Sequence, residues 1–436
     1  MATLNVNSAT GNDSNTYAQV AGGAAWATPG RAFWGSTNQE SPDDTESAQP
    51  GDTVLIAAGT YVVNRTKTDH YNGTLFPAKA GTSGHEIAFK ASGTVILQQT
   101  GELGPILGVR SYCVLDGFTV DEANAHIGAD SGLIHSSTTY ATIQNCTLIG
   151  AYDSIAGEDN HSGIRLQTTT GNRIYNNDIS GFTGNNGNND AAICLYGSTD
   201  TIIEHNNIYD GVTGVHVKAT NNGTIVRYNL FYGNSNKAIR MLQCGDVSSP
   251  TKIYQNIIRD EDYVGMEYNA SVDGYPEYTH FVNNTLVNIG YYAITLNDGV
   301  GTNNLIYNNI IYNADWGIYS TPASNDHYTS NYNCVNNSTY YGRYNSTDYA
   351  ARADFYAASG WDANGIETDP SFVNYAGSNF KLNAGSPCLG TGYDILNLAG
   401  GGVGGAINRG AYITAGQTET IGIESTSAPV RTLFRP

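Results

Sequence analysis

The sequence predicts an all-β chain wound as a right-handed parallel β-helix solenoid with N- and C-terminal caps, and three observations carry the prediction. First, one short phrase recurs between residues 110 and 315: LDGFTV, IQNCTL, IYNNDI, IEHNNI, VRYNLF, IYQNII, FVNNTL and IYNNII. Its alignment places Phe118, Cys146, Asn177, Asn206, Asn229, Asn256, Asn284 and Asn309 in one column, 23 to 31 residues apart. That period is too short for paired-helix repeats and marks a solenoid. Second, apolar residues within the phrase alternate instead of recurring at helical spacing, and Gly, Asn and Asp bound each unit. Third, the composition is turn-rich and poor in charge, with 51 Gly, 31 Tyr and only 14% charged residues.

Taken in chain order, residues 1–50 read as an N-terminal cap in which AWATPGRAFW is a short helix. The first strand is expected after the Pro-Gly turn of PGDTVLIAAGTY. Such a cap protects the open end of a solenoid from strand addition. Residues 51–325 carry the β-helix. A second phrase, GLIHS, GIRLQ, AICLY, GVHVK, AIRML, GMEYN, AITLN and GIYS, precedes each column residue, so every coil holds at least two short strands. The Asn column reads as scaffold: amides stacked at a turn, each bonded to the coils above and below. Residues 326–415 read as C-terminal coils and a cap, with a helix in TDYAARADFYAASG and a closing segment in DPSFVNYAGSNFKLNAGSPCLGTG. Residues 416–436 read as a tail.

The formal charge of −19 disfavours nucleic acid and anionic membranes as partners, and no apolar run is long enough for a membrane span. The start MATLNVNSATGNDSN lacks a basic n-region and an apolar h-region. A mature secreted protein or a phage particle protein is expected. The six cysteines show no metal-ligand spacing and are expected as buried free thiols. Oligomeric state is not legible.

Strand parity sorts the second phrase into inward and outward side chains. In GVHVK, Val215 and Val217 face the core, so His216 and Lys218 face out. The same register gives a first outward column of Ile134, Arg165, Cys194, His216, Arg240, Glu267, Thr295 and Tyr319. The second reads Ser136, Gln167, Tyr196, Lys218, Leu242, Asn269 and Asn297. Scarce cations thus meet on one sheet of an acidic chain, where they would suit a carboxylate or sulfate on a sugar chain. Entering loops add Asp159, His161, Asp190, Asp210, Asp260, Glu261 and Asp262 at the rim. NGNNDAA, which contains Asp190, is the best local candidate for Ca²⁺, with Asp210 as second ligand; turn-forming Asp and Asn are the alternative.

Such a patch matches what β-elimination from a uronate requires. The carboxylate must be neutralised, a base must take the carbon 5 proton, and the leaving oxygen must receive one. A Lys beside an Arg can be the base, because like charge favours its neutral form. His216 or Tyr196 can supply the last proton, while Arg165, Gln167, Tyr196, Glu267 and Asn269 are candidate substrate-binding residues.

An outward Lys followed by an outward Arg one coil later resembles the alginate and chondroitin B lyases of polysaccharide lyase family six. That resemblance implies Lys218 as base and Arg240 as carboxylate binder or acid. Met241 stands where that family carries a His. Family nine pectate lyases, with a Lys base and an Asp-bound calcium, are the related possibility through Asp190 and Asp210. The expected partner is an anionic polysaccharide: alginate, pectate or a glycosaminoglycan. A β-helix glycoside hydrolase working through rim acids and a phage tailspike or adhesin that only binds glycan are the alternatives, since one fold hosts them all.

Overall fold

The computed structural model describes residues 1–66, 73–101, 104–122, 131–153, 161–184, 190–270, 274–297, 301–322, 327–400, 402–414 and 416–423. Each coil contributes three short strands, one more than the minimum expected, and like strands of successive coils pair in parallel. The site sheet stacks Gly132–Ser136, Ser162–Gln167, Ala191–Tyr196, Thr213–Lys218, Lys237–Met241 and Val264–Tyr268, then the second halves of Thr285–Leu296 and Ile310–Ser320, and finally Tyr340–Tyr344. A second sheet contains Arg173–Tyr175, Ile202–Glu204 and Ile225–Arg227, and a third contains Asp178–Ser180, Asn207–Tyr209 and Leu230–Tyr232. The result is a parallel β-solenoid of about 8 turns.

The interior is a continuous apolar core in which each strand supplies alternate residues, such as Ile193 and Leu195, Val215 and Val217, Ile239 and Met241. All six cysteines are buried free thiols. Among the described residues no helix is long and apolar enough to cross a membrane.

The Asn column lies inside a turn, fully buried. Asn229 shows the repeating unit. Its Oδ1 accepts from the backbone N–H and the side-chain amide of Asn206, both at 2.9 Å. Its own amide donates to Asn256 Oδ1 at 3.0 Å and to the carbonyls of Ile203 and Arg227 at 2.9 Å. The ladder begins at the Cys146 N–H, which donates to Asn177 Oδ1, and extends beyond the expected column through Asn333. It ends on Asp362, whose Oδ1 accepts from the Asn333 N–H and amide. A terminal member has no later coil to donate to, so a carboxylate suffices there.

Both ends carry more structure than the sequence indicated. The short helices Tyr17–Ala21 and Pro29–Trp34 are present, the second capped by the Thr28 hydroxyl and stacking Phe33 on Phe89 at 3.9 Å. Ahead of them, Thr3–Val6 already pairs with Thr53–Ile56, so strand addition begins in the cap. The expected C-terminal helix is Arg352–Ser359. Beyond it the chain turns back along the coils. Arg409 donates to the Tyr332 and Asn333 carbonyls, the Gly410 N–H to Asn308 O, the Gly422 N–H to Tyr228 O, and the Ile423 N–H to Asn207 Oδ1. The segment expected as a tail is therefore docked as far as Ile423.

Candidate functional site

From Arg165 onward the first outward column stands in the expected register. Arg165 pairs with Cys194, Cys194 with His216, His216 with Arg240, Arg240 with Glu267, Glu267 with Thr295, and Thr295 with Tyr319. In the second column Gln167, Tyr196 and Lys218 are successive partners, and the Leu242 and Asn269 N–H groups donate to the Val217 and Met241 carbonyls. The first coil is a correction. Ile134 pairs with Ile164 in the core and Ser136 with Leu166, while His135 is the residue in register with Arg165. Counting GLIHS as though it began one residue later in its strand produced the slip, and a one-residue slip exchanges the two faces.

At the centre of the column His216 is fully buried, and neither ring nitrogen has a hydrogen-bond partner. Burial, and then the charges of Arg240, Lys218, Lys237 and Arg165, hold its pKa well below the ordinary histidine value. The imidazole is neutral at neutral pH and ringed by cations. Tyr196 lies between two of them, its ring centroid 5.8 Å from Arg165 Cζ and 5.7 Å from Lys218 Nζ. Arg165 is 3% exposed, and its Nη1 lies 3.6 Å from Cys194 Sγ. Arg240 Nε sits 2.9 Å from Glu267 Oε2, and Asn297 donates to Glu267 Oε1 at 2.8 Å. Glu267 is thus held by protein groups; burial raises its pKa, while Lys237 and Arg240 pull it down.

Lys237 is a site residue that the sequence reading missed. It is 5% exposed, with Nζ 2.8 Å from Asn236 Oδ1 and 3.9 Å from Glu267 Oε2. Burial lowers its pKa, Glu267 opposes that shift, and Arg240 adds to it. Parity places Lys237 on the core side, because it lies an odd number of residues from Arg240. A bend in the strand reverses this. A Cβ on Gly163, Gly214 or Gly265 would meet the core side chains Phe182, Phe231 or Leu286 within 3 Å. The following residues, Ile164, Val215 and Met266, also face the core. Two successive inward residues return the one before them to the outer side. The run of Gly and Ala at this position from Gly163 to Gly317 was the available signal.

The rim residues divide. Asp159 and most of NGNNDAA lie outside the described residues. His161 Nε2 contacts Glu122 Oε1 at 2.8 Å, and its N–H donates to Asp190 Oδ1 at 3.1 Å. Asp190 is 1% exposed; its oxygen caps a neighbouring coil, as Asn234 Oδ1 does for the Gly211 N–H. Asp210 is exposed in the left-handed region (φ 51°), in the turn column that also holds Gly233, Asp260 and Asn288. Asp190 gives its Oδ1 to the His161 backbone N–H, and Asp210 stands at a separate turn position. Among the described residues no cluster of three His, Cys, Asp or Glu is poised to hold a metal. Asp260, Glu261 and Asp262 instead line a cavity of about 500 Å³ with Asn288 and Asp315. Glu261 is buried, and burial holds its carboxyl well above the ordinary range although Asn234 donates to it at 3.1 Å.

Comparison with known proteins agrees with this architecture. A family model described as "Right handed beta helix region" matches residues 131–301. No curated protein sequence matches the chain. Among solved structures, the pectate lyase Pel9A superimposes with a TM-score of 0.59 at 14% identity, covering 94% of this chain and 96% of that one. XylC, solved with xylose, gives 0.53 at 12% identity over 85% and 87%. A mannuronic acid specific polysaccharide family 6 lyase from human gut microbiota gives 0.43 at 16% identity over 69% and 73%. At these identities the first two likenesses show the fold, a right-handed parallel β-helix.

Proposed function

We propose that this chain is a polysaccharide lyase that cleaves a uronate-containing anionic polysaccharide by β-elimination, acting outside the cell or on a phage particle. One observation carries the reading: four of the 20 Lys and Arg in a chain of charge −19 converge on one neutral, unpartnered histidine. Charge scarce elsewhere is concentrated where a carboxylate would be held. In this reading Arg240 and Arg165 take the uronate carboxylate and stabilise the enolate-like charge that develops after binding. Lys218, in its neutral form, removes the carbon 5 proton. The C–H electron pair becomes the carbon 4–carbon 5 double bond, and the carbon 4–oxygen bond breaks with its pair on the leaving oxygen. That oxygen takes its proton from the Tyr196 hydroxyl, or from a His216 that has first taken one from solvent, which the bound carboxylate favours by offsetting the surrounding cations. Glu267, paired with Arg240 at 2.9 Å and with Lys237 at 3.9 Å, orients the Arg240 guanidinium in this reading. The test is ultraviolet absorbance from the new double bond on a panel of purified uronate polymers.

The acid-lined cavity supports a second reading, a glycoside hydrolase. There Glu261, protonated through burial, would be the acid and the exposed Asp262 or the half-buried Asp315 the partner carboxylate. That enzyme would release reducing ends without unsaturated product. A Ca²⁺ bound at Asp190 and Asp210 is a separate proposal, and no step above uses it.

A further inference from the structure

Next to the cationic coils, on the same outer face, lies a cluster of aromatic rings that the proposed chemistry does not use. Tyr263, Tyr291, Tyr292, Trp316, Tyr319 and Tyr340 occupy the next four coils. Tyr263 stacks on Tyr291 at 5.3 Å, Tyr292 lies 4.2 Å from Tyr319, and Trp316 stacks on Tyr340 at 5.1 Å. None is core. Tyr263 is 43% exposed and the other five are half-buried, while Ile294, Leu296 and Ile318 of the same strands fill the interior. The rings are held in place: Trp316 Nε1 donates to Asp348 Oδ1 at 2.8 Å, and Arg343, paired with Asp348 at 3.3 Å, packs over Tyr319. Ordered aromatic surface left in water marks an interaction site.

We infer that this platform is a set of stacking subsites for the same glycan, whose sugar rings lie over it while its reacting uronate sits on the cationic coils. The inference rests on the lyase reading for its occupant and adds how the chain is gripped. Continuity argues for it. Arg240, Glu267, Thr295 and Tyr319 are successive partners in one column, and Lys237, Val264, Tyr292, Trp316 and Tyr340 are successive partners in another. A glycan laid along the sheet passes from cations to rings without leaving the face. Size argues against a folded protein: four coils by five residues give roughly 13 Å by 14 Å, far below the about 800 Å² per partner of a standard interface. A pyranose offers an apolar C–H face to the rings and hydroxyls to the tyrosine O–H groups. The cations near the platform are already engaged, Arg343 with Asp348 and Lys237 with Glu267. A carboxylate is therefore read over the cationic coils, and sugars over the platform are held by their faces and need none.

The test compares oligomers and polymers of galacturonate and of alginate for binding to the wild type and to Tyr263→Ala/Tyr291→Ala, with Tyr263→Phe/Tyr291→Phe as the variant that keeps the rings. Binding is measured by calorimetry and affinity electrophoresis. At about one strand spacing per sugar, oligomers of roughly three residues cover the cationic coils and those of roughly seven reach both regions. The Ala variant should bind the longer chains about tenfold more weakly and the short ones unchanged, and the Phe variant should stay near wild type. Unchanged binding of long chains by the Ala variant would overturn the inference, as would equal loss in the Phe variant. Because the readout is binding, the two ideas fail separately. Cleavage of a polymer with indifferent tyrosines would leave the lyase reading standing, and length-dependent binding without unsaturated product would leave the platform standing.

Discussion

Truncating Asn229 to Ala should be among the most destabilising single changes in the chain. The substitution removes two bonds accepted from Asn206 and three donated to Asn256, Ile203 and Arg227. The Asn206 amide keeps its bonds to the Ile174 and Glu204 carbonyls, so it is not orphaned. The buried Asn206 N–H is. One orphaned buried donor costs about 1–3 kcal/mol, and each of the four further lost bonds about 1 kcal/mol net, so the sum is about 5–7 kcal/mol. Asn288→Gly serves as control: Asn288 donates to Asp260 and accepts from Asn313 and Tyr375, all at an exposed turn with φ 56° that Gly adopts readily, and its loss should stay well below that of Asn229→Ala, at about 1–2 kcal/mol. Denaturant unfolding followed by circular dichroism measures both. Asn229→Asp should also be destabilising, because a carboxylate cannot donate to Asn256 Oδ1, and the defect should ease as pH falls and the acid protonates. An Asn229→Ala shift no larger than that of Asn288→Gly would refute the ladder as a source of stability.

Three further outcomes are expected. Lys218→Ala should lose about 10²- to 10⁴-fold in turnover with the fold intact. Arg240→Ala should be comparably damaging, and the double variant scarcely worse than either, because a base has little acid to work on once the carboxylate is not neutralised; Cys194→Ser is the control. Because the folded-state pKa of His216 is depressed, the unfolded chain binds its proton first, and this residue's contribution is lost as pH falls below about 6.5. Glu267, with a raised pKa, acts in the opposite sense, so the comparison is with His216→Gln, whose stability should fall less between pH 7 and 5 in a melting series. If Asp190 and Asp210 hold a catalytic Ca²⁺, chelator should abolish activity and added Ca²⁺ restore it; unchanged activity favours the Lys and Arg site alone.

The Asn ladder and the Arg165-to-Tyr319 column were legible because both follow from a repeat, where one correct register fixes every coil. Lys237 was not, since parity assumes a straight strand and the Gly214 column bends it. His135 was missed where the first coil was counted one residue off. The docking of Gly422 and Ile423 on Tyr228 and Asn207 joins residues about 200 positions apart, and no local pattern encodes such a contact. Asp190 shows the reverse difficulty: an acid among Asn and Gly reads equally as metal ligand or coil cap, and only its bond to the His161 N–H distinguishes them. The aromatic platform was invisible as a unit because its rings come from three separate strand positions.

The most direct test of the account is to incubate the purified chain with pectate, alginate and glycosaminoglycans while following ultraviolet absorbance and reducing ends together, with Lys218→Ala in parallel. The account predicts that both signals rise in step on at least one uronate polymer and that Lys218→Ala abolishes both. Reducing ends without absorbance, near-native cleavage by Lys218→Ala, or neither signal on every polymer would contradict it.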